Sequence, residues 1–518
     1  MHLLALLTAL SFSFSSSAFD NNRFDNVAVY WGQNSYGAAY GTDTANFQQR
    51  LSFYCNDNVI DVFPVAFVNV FFGTGGAPSM NLANTCNPTD NATFPGTTLP
   101  NCASLATDII TCQSKGKIVT LSLGGATGAV GFQSDAQATT FAQTIWDLFL
   151  GGSSSTRPFG SAVLDGIDLD IEGGSSDHYS TFVNKLRSLA SGANKQYYVT
   201  AAPQCVFPDA ALGGVLNSVG FDAIYVQFYN NPCGLQAFSQ ASNWNFGIWD
   251  NWARTTSPNK NVKVYIGTPA SSTAAGSGFV GVDALTNIAT QMRKSFPSFG
   301  GVMMWDASQA YANNRIDKAI KNALSAAGGT GFTFPACSAP AYIAGTNYAG
   351  GSQVSFGGYI WQAKWFASSQ PTGNPNGDWS AISACAGAAV PPSSTPTTTK
   401  TSTTTTKTST TTTKTSTSTT TTKSSTTTSS ATPTTTGTCA GVAAWSSSIA
   451  YTGGSQVIYS SHLWTAKWWT QTDTPGGTAG VWTDNGACTA SKDVLTQAFH
   501  ANTQPTNKPS KLSRVFRY

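Results

Sequence analysis

Between residues 27 and 305, eight short apolar runs rich in β-branched and aromatic residues alternate with longer stretches of mixed polarity. No other feature of the chain narrows its fold as much. The runs cover residues 27–31, 62–70, 118–123, 163–171, 197–202, 223–229, 262–266 and 301–305, and helical candidates lie between them at 140–149, 179–189, 282–294 and 316–324. Strands that alternate with helices build a parallel sheet with crossovers rather than a sandwich, and eight such units over about 300 residues predict an α/β fold of the closed (β/α)8 type. Single cores stop growing near ~250 to 300 residues, so a chain of 518 must hold more than one unit. We expect the barrel domain to run from 19 to 330.

Beyond residue 330 the texture changes, and two stretches of about fifty residues repeat each other at an offset of 103. Gly350-Gly351-Ser352-Gln353-Val354 returns unchanged as Gly453-Gly454-Ser455-Gln456-Val457, and Trp361, Ala363, Lys364, Trp365 and Trp379 return as Trp464, Ala466, Lys467, Trp468 and Trp482. A duplicated β-rich module is expected at 336–386 and again at 438–489. Each copy is too small for a self-sufficient core, and a disulfide between its terminal cysteines, Cys337 with Cys385 and Cys439 with Cys488, would add on the order of 2 to 4 kcal/mol. The segment 390–437 is almost wholly Thr, Ser, Lys and Pro, which cannot bury apolar surface and reads as an O-glycosylated spacer. Residues 490–518 read as a flexible tail.

Charge and cysteine usage exclude several functions. Only 10% of residues are charged and the net charge is +3, with no basic stripe, so no nucleic-acid partner is expected. The four histidines, His2, His178, His462 and His500, offer no zinc-helix spacing, and ten cysteines without a CxxC suit disulfides in an oxidising compartment. Residues 3–14 form an apolar run too short to span a bilayer, followed by Ser15-Ser16-Ser17-Ala18, which reads as a secretory signal over residues 1–18. The mature protein is expected to be a monomer with no membrane partner, secreted to the medium or cell wall.

The chemistry is concentrated in Asp165-Gly166-Ile167-Asp168-Leu169-Asp170-Ile171-Glu172. Side chains alternate along a strand, so Asp168, Asp170 and Glu172 share one face and Ile167, Leu169 and Ile171 the other. In a barrel the apolar face meets the helices and the acidic face lines the interior, where clustered carboxylates oppose one another's ionisation and cost stability. An acid–base site at the C-terminal mouth explains that cost. A metal does not, because two-residue steps of about 3.3 Å per residue spread the three acids over roughly 13 Å, beyond the reach of one ion. No cofactor is expected. Asp165, of the opposite parity, reads as structural.

The block resembles the DxxDxDxE signature of family 18 glycoside hydrolases. Tyr30-Trp31-Gly32-Gln33-Asn34, Leu121-Ser122-Leu123-Gly124-Gly125, Ala201-Ala202-Pro203-Gln204-Cys205, Gln227-Phe228-Tyr229-Asn230-Asn231 and Gly301-Val302-Met303-Met304-Trp305-Asp306 are similar to the class III, hevamine-type chitinases of plants and fungi. The resemblance runs from about residue 27 to 327. It implies retaining hydrolysis of β-1,4-linked N-acetylglucosamine, with the substrate's acetamido oxygen as nucleophile, and chitin and its oligomers as partners. By the same resemblance Glu172 would be the general acid, and a neighbouring carboxylate would raise its pKa. Asp170 would polarise the acetamido group with Asp168 sharing its proton, and Tyr229 would hold the acetamido oxygen. Tyr30, Gln33, Phe67, Asn81, Gln227 and Trp305 would line the groove. The family's cysteine pattern implies Cys55 with Cys112, Cys86 with Cys102 and Cys205 with Cys233, pairings that the sequence by itself leaves open. Asn91-Ala92-Thr93 is a glycosylation acceptor.

Ala363-Lys364-Trp365-Phe366 and Ala466-Lys467-Trp468-Trp469 resemble the Ala-Lys-Trp-Trp signature of small chitin- and cellulose-binding modules. Trp365, Trp468 and Trp469 are therefore the expected sugar-binding aromatics, with burial in the module core as the alternative. Trp361 and Trp464 read as core. A lectin or enzyme inhibitor on the same fold would lack the acid or the tyrosine, and both are present.

Overall fold

A computed structural model of the chain describes residues 18–126, 128–387, 439, 442–447, 450–451, 455–466, 470–471, 473–477 and 481–488. The expected signal, spacer and tail lie outside these residues almost entirely. The described residues form two compact units, one up to residue 387 and the other from 439 onward.

Eight strands, β1 (Asn26–Val29), β2 (Val62–Val68), β3 (Ile118–Gly124), β4 (Gly166–Asp170), β5 (Tyr198–Ala201), β6 (Ala223–Gln227), β7 (Lys263–Pro269) and β8 (Phe299–Trp305), close into a barrel in sequence order. Every neighbouring pair is parallel, including β8 with β1. Each expected run overlaps one of these strands, and those at 262–266 and 301–305 fall short of β7, which extends to Pro269, and of β8, which begins at Phe299. The runs overshoot where apolar residues continue into loops, as at β4, where Asp165 is spent on fixing the strand below and regular pairing begins at Gly166.

Ten helices cover the barrel: α1 (Ser35–Ala39), α2 (Leu51–Tyr54), α3 (Ala106–Ser114), α4 (Asp135–Phe149), α5 (Tyr179–Ala190), α6 (Gly213–Ser218), α7 (Phe246–Thr255), α8 (Val282–Ser295), α9 (Ala307–Ala312) and α10 (Ile316–Ala326). Helix α4 starts five residues before the expected 140, because Ser134 caps it by accepting from Gln137 N and Asp135 sits favourably in its first turn. Between strands and helices lies an outer core that contains Ile167, Leu169 and Ile171, and inside the barrel Tyr30, Tyr225, Tyr265 and Met303 pack as a separate cluster.

The N-terminal rim repeats one device three times. Asp61, Asp165 and Asp222, each just before an even-numbered strand, accept from the backbone N–H of Val27, Val119 and Val199 at 2.8, 2.7 and 2.8 Å. Lys321, Lys195 and Arg187 balance their charges at 2.7, 2.8 and 2.8 Å. These contacts pin the starts of β1, β3 and β5 at the N-terminal rim and give Asp165 the structural role its parity predicts.

In the first unit the chain continues into a three-stranded antiparallel sheet, β9 (Gln353–Phe356), β10 (Tyr359–Ala363) and β11 (Trp379–Ala384), ordered β11-β10-β9 and closed by Cys337–Cys385. The second unit has β12 (Ala450–Tyr451), β13 (Gln456–Tyr459), β14 (His462–Ala466), β15 (Thr470–Gln471) and β16 (Trp482–Ala487), closed by Cys439–Cys488. The strands β13, β14 and β16 reproduce β9, β10 and β11 at the offset of the sequence repeat. Trp361 is buried as expected, whereas Trp464 is only half-buried, its indole donating to Tyr459 O at 3.0 Å. No helix among the described residues is long and apolar enough to cross a membrane.

Candidate active site

The two-residue period of β4 sends Asp168 and Asp170 into the barrel and places Glu172 just past the strand, at its C-terminal mouth. Asp168 is fully buried and Asp170 nearly so, while Glu172 is partly open. Register fixes the lowest rung. Ser122 on β3 and Thr200 on β5 are the direct neighbours of Asp168, and their hydroxyls donate to it at 2.7 and 2.7 Å. Tyr30, the residue after β1, donates at 2.6 Å. Burial pushes the Asp168 carboxyl up, and the three hydroxyls push back by favouring its charged form.

Asp170 has no such shell. The Gln227 amide, from the end of β6, is divided between Asp170 Oδ1 at 3.0 Å, Ala202 O at 3.0 Å and Glu172 Oε1 at 3.4 Å. Burial, then repulsion from Glu172, Asp168 and Asp209, holds Asp170 well above the usual carboxylate range. Glu172 is also raised, first by burial, with Asp209 adding to it and the Gln227 amide opposing. The nearest-carboxylate effect expected on Glu172 is therefore secondary to desolvation. Tyr229, two residues beyond β6 and 8% exposed, faces the same acids, and burial with repulsion from Asp170 and Glu172 raises its phenol well above the ordinary value. The phenol therefore keeps its proton and serves as a hydrogen-bond donor.

Two glycines let these groups meet. Gly124 pairs with Asp170 at φ +118°, and a Cβ there would fall on the Asp170 carbonyl oxygen. At Gly125 a Cβ would meet the Phe67 ring, so the strand end must be bare for that ring to lie flat. Phe67 stacks on Trp305 with centroids 5.8 Å apart, and Tyr30 closes the cluster at 5.6 Å from Trp305 and 6.2 Å from Phe67. This is an aromatic floor beside the carboxylates.

The remaining expected groove residues divide. The Gln33 amide nitrogen is committed to the protein, donating to Ala66 O and Asn81 O at 2.9 and 2.9 Å, and so ties the loop rather than offering a free donor. Asn81 is exposed, pairs through its backbone with Phe67, and accepts from Ala83 N at 2.8 Å. The loops around the mouth are tied by Cys86–Cys102 and Cys205–Cys233, and α2 is joined to α3 by Cys55–Cys112. Asn91 lies in a turn where its Oδ1 accepts from Asn87 N at 3.0 Å. In the first module Trp365 and Phe366 are 48% and 62% exposed. Trp468 and Trp469 lie outside the described residues.

Three site residues escaped the sequence reading. Ser122 sits between Leu121 and Leu123, and Thr200 shares its strand with Val199, so a polar inward residue amid apolar neighbours is the signal that would have found both. Asp209 gave none. It accepts from Gln204, Ala211 and Leu212 backbone N–H groups, and reads like any helix-capping acid.

A closed parallel barrel with a ladder of acids at its mouth and an aromatic floor defines an acid–base site of the (β/α)8 class. The profile of Glycosyl hydrolases family 18 matches residues 26–279, and that of Carbohydrate-binding module family 5/12 matches residues 444–483. The chain is 43% identical over 336 residues to Endochitinase 33 of Trichoderma harzianum, covering 62% of this chain and 99% of that protein. It is 50% identical over 305 residues to Chitinase 2 of Rhizopus oligosporus (59% of this chain, 53% of that protein). With the Endochitinase of Saccharomyces cerevisiae it shares 43% over 323 residues (61% of this chain, 53% of that protein). The chain belongs to family 18 of the glycosyl hydrolases and carries a family 5/12 module in its second unit. It spans about half the length of the Rhizopus oligosporus and Saccharomyces relatives it matches.

Proposed function

We propose that the protein is an exported endo-acting chitinase that cleaves β-1,4-N-acetylglucosamine linkages with retention. The observation that carries this reading is the rise of Asp168, Asp170 and Glu172 along one strand to a mouth shared with Tyr229 and floored by Tyr30, Phe67 and Trp305. Glu172, whose protonated form burial favours, gives its proton to the glycosidic oxygen as the bond to the anomeric carbon breaks. The acetamido carbonyl oxygen of the same sugar attacks that carbon and forms a cyclic oxazolinium ion. Asp170 takes up the acetamido N–H, and the Tyr229 hydroxyl donates to the acetamido oxygen. Asp168, held by three hydroxyls, is the charge against which the Asp170 proton is drawn down once Asp170 turns. Glu172, now a carboxylate, takes a proton from water as its oxygen adds to the anomeric carbon, which restores both the sugar's β configuration and the acid.

Pairing of all ten cysteines supports export, with a leader over 1–18, and the modules at 336–386 and 438–489 would bind chitin, the second of them from beyond the 390–437 spacer. The test is the anomer formed first from soluble N-acetylglucosamine oligomers, followed by NMR. The β anomer is expected, and the same chain with free amines in place of acetamides should resist cleavage. Initial α anomer, or cleavage of the amine polymer at an equal rate, would overturn the mechanism.

A further inference from the structure

Helix α7 carries Gly247, Asp250, Asn251 and Arg254 on one stripe, spaced by three and four residues. On a barrel helix the stripe opposite the strands is ordinarily solvated, and this one is not: Gly247 and Asp250 are buried, Asp250 completely. The sheet of the first module covers it. A Cβ on Gly247 would fall on the carbonyl oxygen of Ala381 in β11. Asp250 accepts from the Tyr359 hydroxyl of β10 at 2.7 Å and from Ser298 N at 3.0 Å. The Arg254 guanidinium lies 4.9 Å from the Tyr359 ring and 5.5 Å from the Phe334 ring. Val354, Tyr359, Trp361 and Trp379 of the module share one buried apolar core with the barrel's outer layer, so the contact belongs to the fold and is not a passing encounter.

The contact also has a direction. Helix α7 begins at the catalytic rim, after the loop that carries Tyr229 and Ala241, and descends to the opposite rim. Strand β11 descends beside it: the Ser380 hydroxyl donates to Ala241 O, Ala381 lies on Gly247, and the Ser383 hydroxyl reaches Ser295 O, at the lower end of α8, at 3.5 Å. In the antiparallel pairing of β10 with β11, Ala363 stands opposite Trp379. Lys364, Trp365 and Phe366 therefore leave β10 at the catalytic-rim end of the module. There the Trp365 indole donates to Asp378 at 2.9 Å, Ser369 donates to the other Asp378 oxygen at 2.6 Å, and the Lys364 amine donates to Pro375 O at 2.6 Å. Trp365 and Phe366 are nonetheless the two most exposed large apolar side chains among the described residues, at 48% and 62%. Adjacent open rings, one of them locked by hydrogen bonding, form a preorganised platform for the apolar face of a sugar.

We propose that the first module is a rigid extension of the substrate groove rather than a tethered anchor, and that Trp365 and Phe366 hold the part of a long polysaccharide chain that leaves the groove on the α7 side. The proposal rests on the chitinase reading above. Helix and sheet layers each add about 10 Å beyond the barrel wall, so a chain must be many sugars long to touch both sites. A tether raises the local concentration of any surface-bound substrate, whereas a fixed platform favours soluble chains above a threshold length.

The experiment uses the full chain and compares kcat/KM on a long soluble chitin derivative with kcat/KM on tetramers of N-acetylglucosamine. In Trp365→Ala/Phe366→Ala the long-to-short ratio should fall at least fivefold, and Trp365→Tyr should restore much of it. Gly247→Ala, which pushes β11 off α7, should lower the ratio equally while retention on insoluble chitin persists, with hydrogen exchange at β10 and β11 reporting that the module is still folded. If that variant does not fold, Tyr359→Phe/Ser380→Ala loosens the same contact by removing only its hydrogen bonds. An unchanged ratio in the aromatic variant, or in a folded undocked variant, overturns the proposal. Absence of cleavage of either substrate by the unaltered protein would instead overturn the chitinase reading beneath it.

Discussion

Asp170 stands between two other carboxylates with a single shared amide donating to it, and its chemistry follows from that shortage. Its folded-state pKa lies well above the unfolded value of about 3.9, so the folded chain holds a proton there that the unfolded chain gives up. Stability from this group is complete below the unfolded value and is lost as pH rises through the folded one. Asparagine keeps the shape of the protonated acid without its ionisation. We therefore expect Asp170→Asn to melt higher than the parent at pH 7 and level with it near pH 3, while cleavage is lost; a lower melting temperature at pH 7 would contradict the assignment of burial and repulsion as the cause. Glu172 has the same sign, so cleavage should decline as pH rises through its raised pKa. Glu172→Gln should lower kcat by at least the ~10² to 10⁴ that general acid catalysis contributes and leave oligomer affinity, read by calorimetry, nearly intact. The ladder itself was legible because a period of two is visible in any strand. Its lateral partners were not, since Ser122 and Thr200 acquire meaning only when the register sets them beside Asp168, and Asp209 is brought near by a loop and not by any local pattern.

At the scale of elements, all eight strands were readable because parallel strands buried on both faces form apolar runs that loops do not imitate. Their ends were less so, since Val163 and Leu164 are as apolar as the strand that follows them. The glycines that finish β3 show why an end matters. Gly124 is at φ +118° with its α-carbon turned onto the Asp170 carbonyl, so any side chain must both adopt a disfavoured backbone and push β4 aside. Gly124→Ala should therefore cost about 1 to 3 kcal/mol of stability and reduce kcat far more than KM, because it moves Asp170 relative to Glu172 without touching the aromatic floor. A variant that is destabilised but turns over normally would show that the rungs tolerate displacement. Helix α7 illustrates the opposite limit of legibility: it was not among the expected helices, and only the sheet that lands on Gly247, Asp250 and Arg254 gives that stripe a meaning.

For the whole molecule, the repeat predicted a duplicated module, and the first copy is continuous with the barrel. Val354, Tyr359, Trp361 and Trp379 belong to the same buried core as the barrel's outer layer, whereas Tyr451, Val457 and Trp482 of the second copy form a core of their own. The difference predicts unequal truncations. Removing residues from 391 onward should leave the melting temperature of the catalytic unit within a degree or two, because that cut spares every contact on α7. Removing residues from 336 onward takes the Tyr359 hydroxyl from Asp250, which keeps Ser298 and Arg254, and opens the apolar seam beside it; a hydrogen bond to a charged group is typically worth about 1.5 to 3 kcal/mol. At about 2 to 4 °C per kcal/mol for a domain of this size, the shorter chain should melt roughly 3 to 12 °C lower. Calorimetry of the two truncations side by side measures this directly, and equal melting temperatures would mean that the first module, like the second, stands as an independent fold.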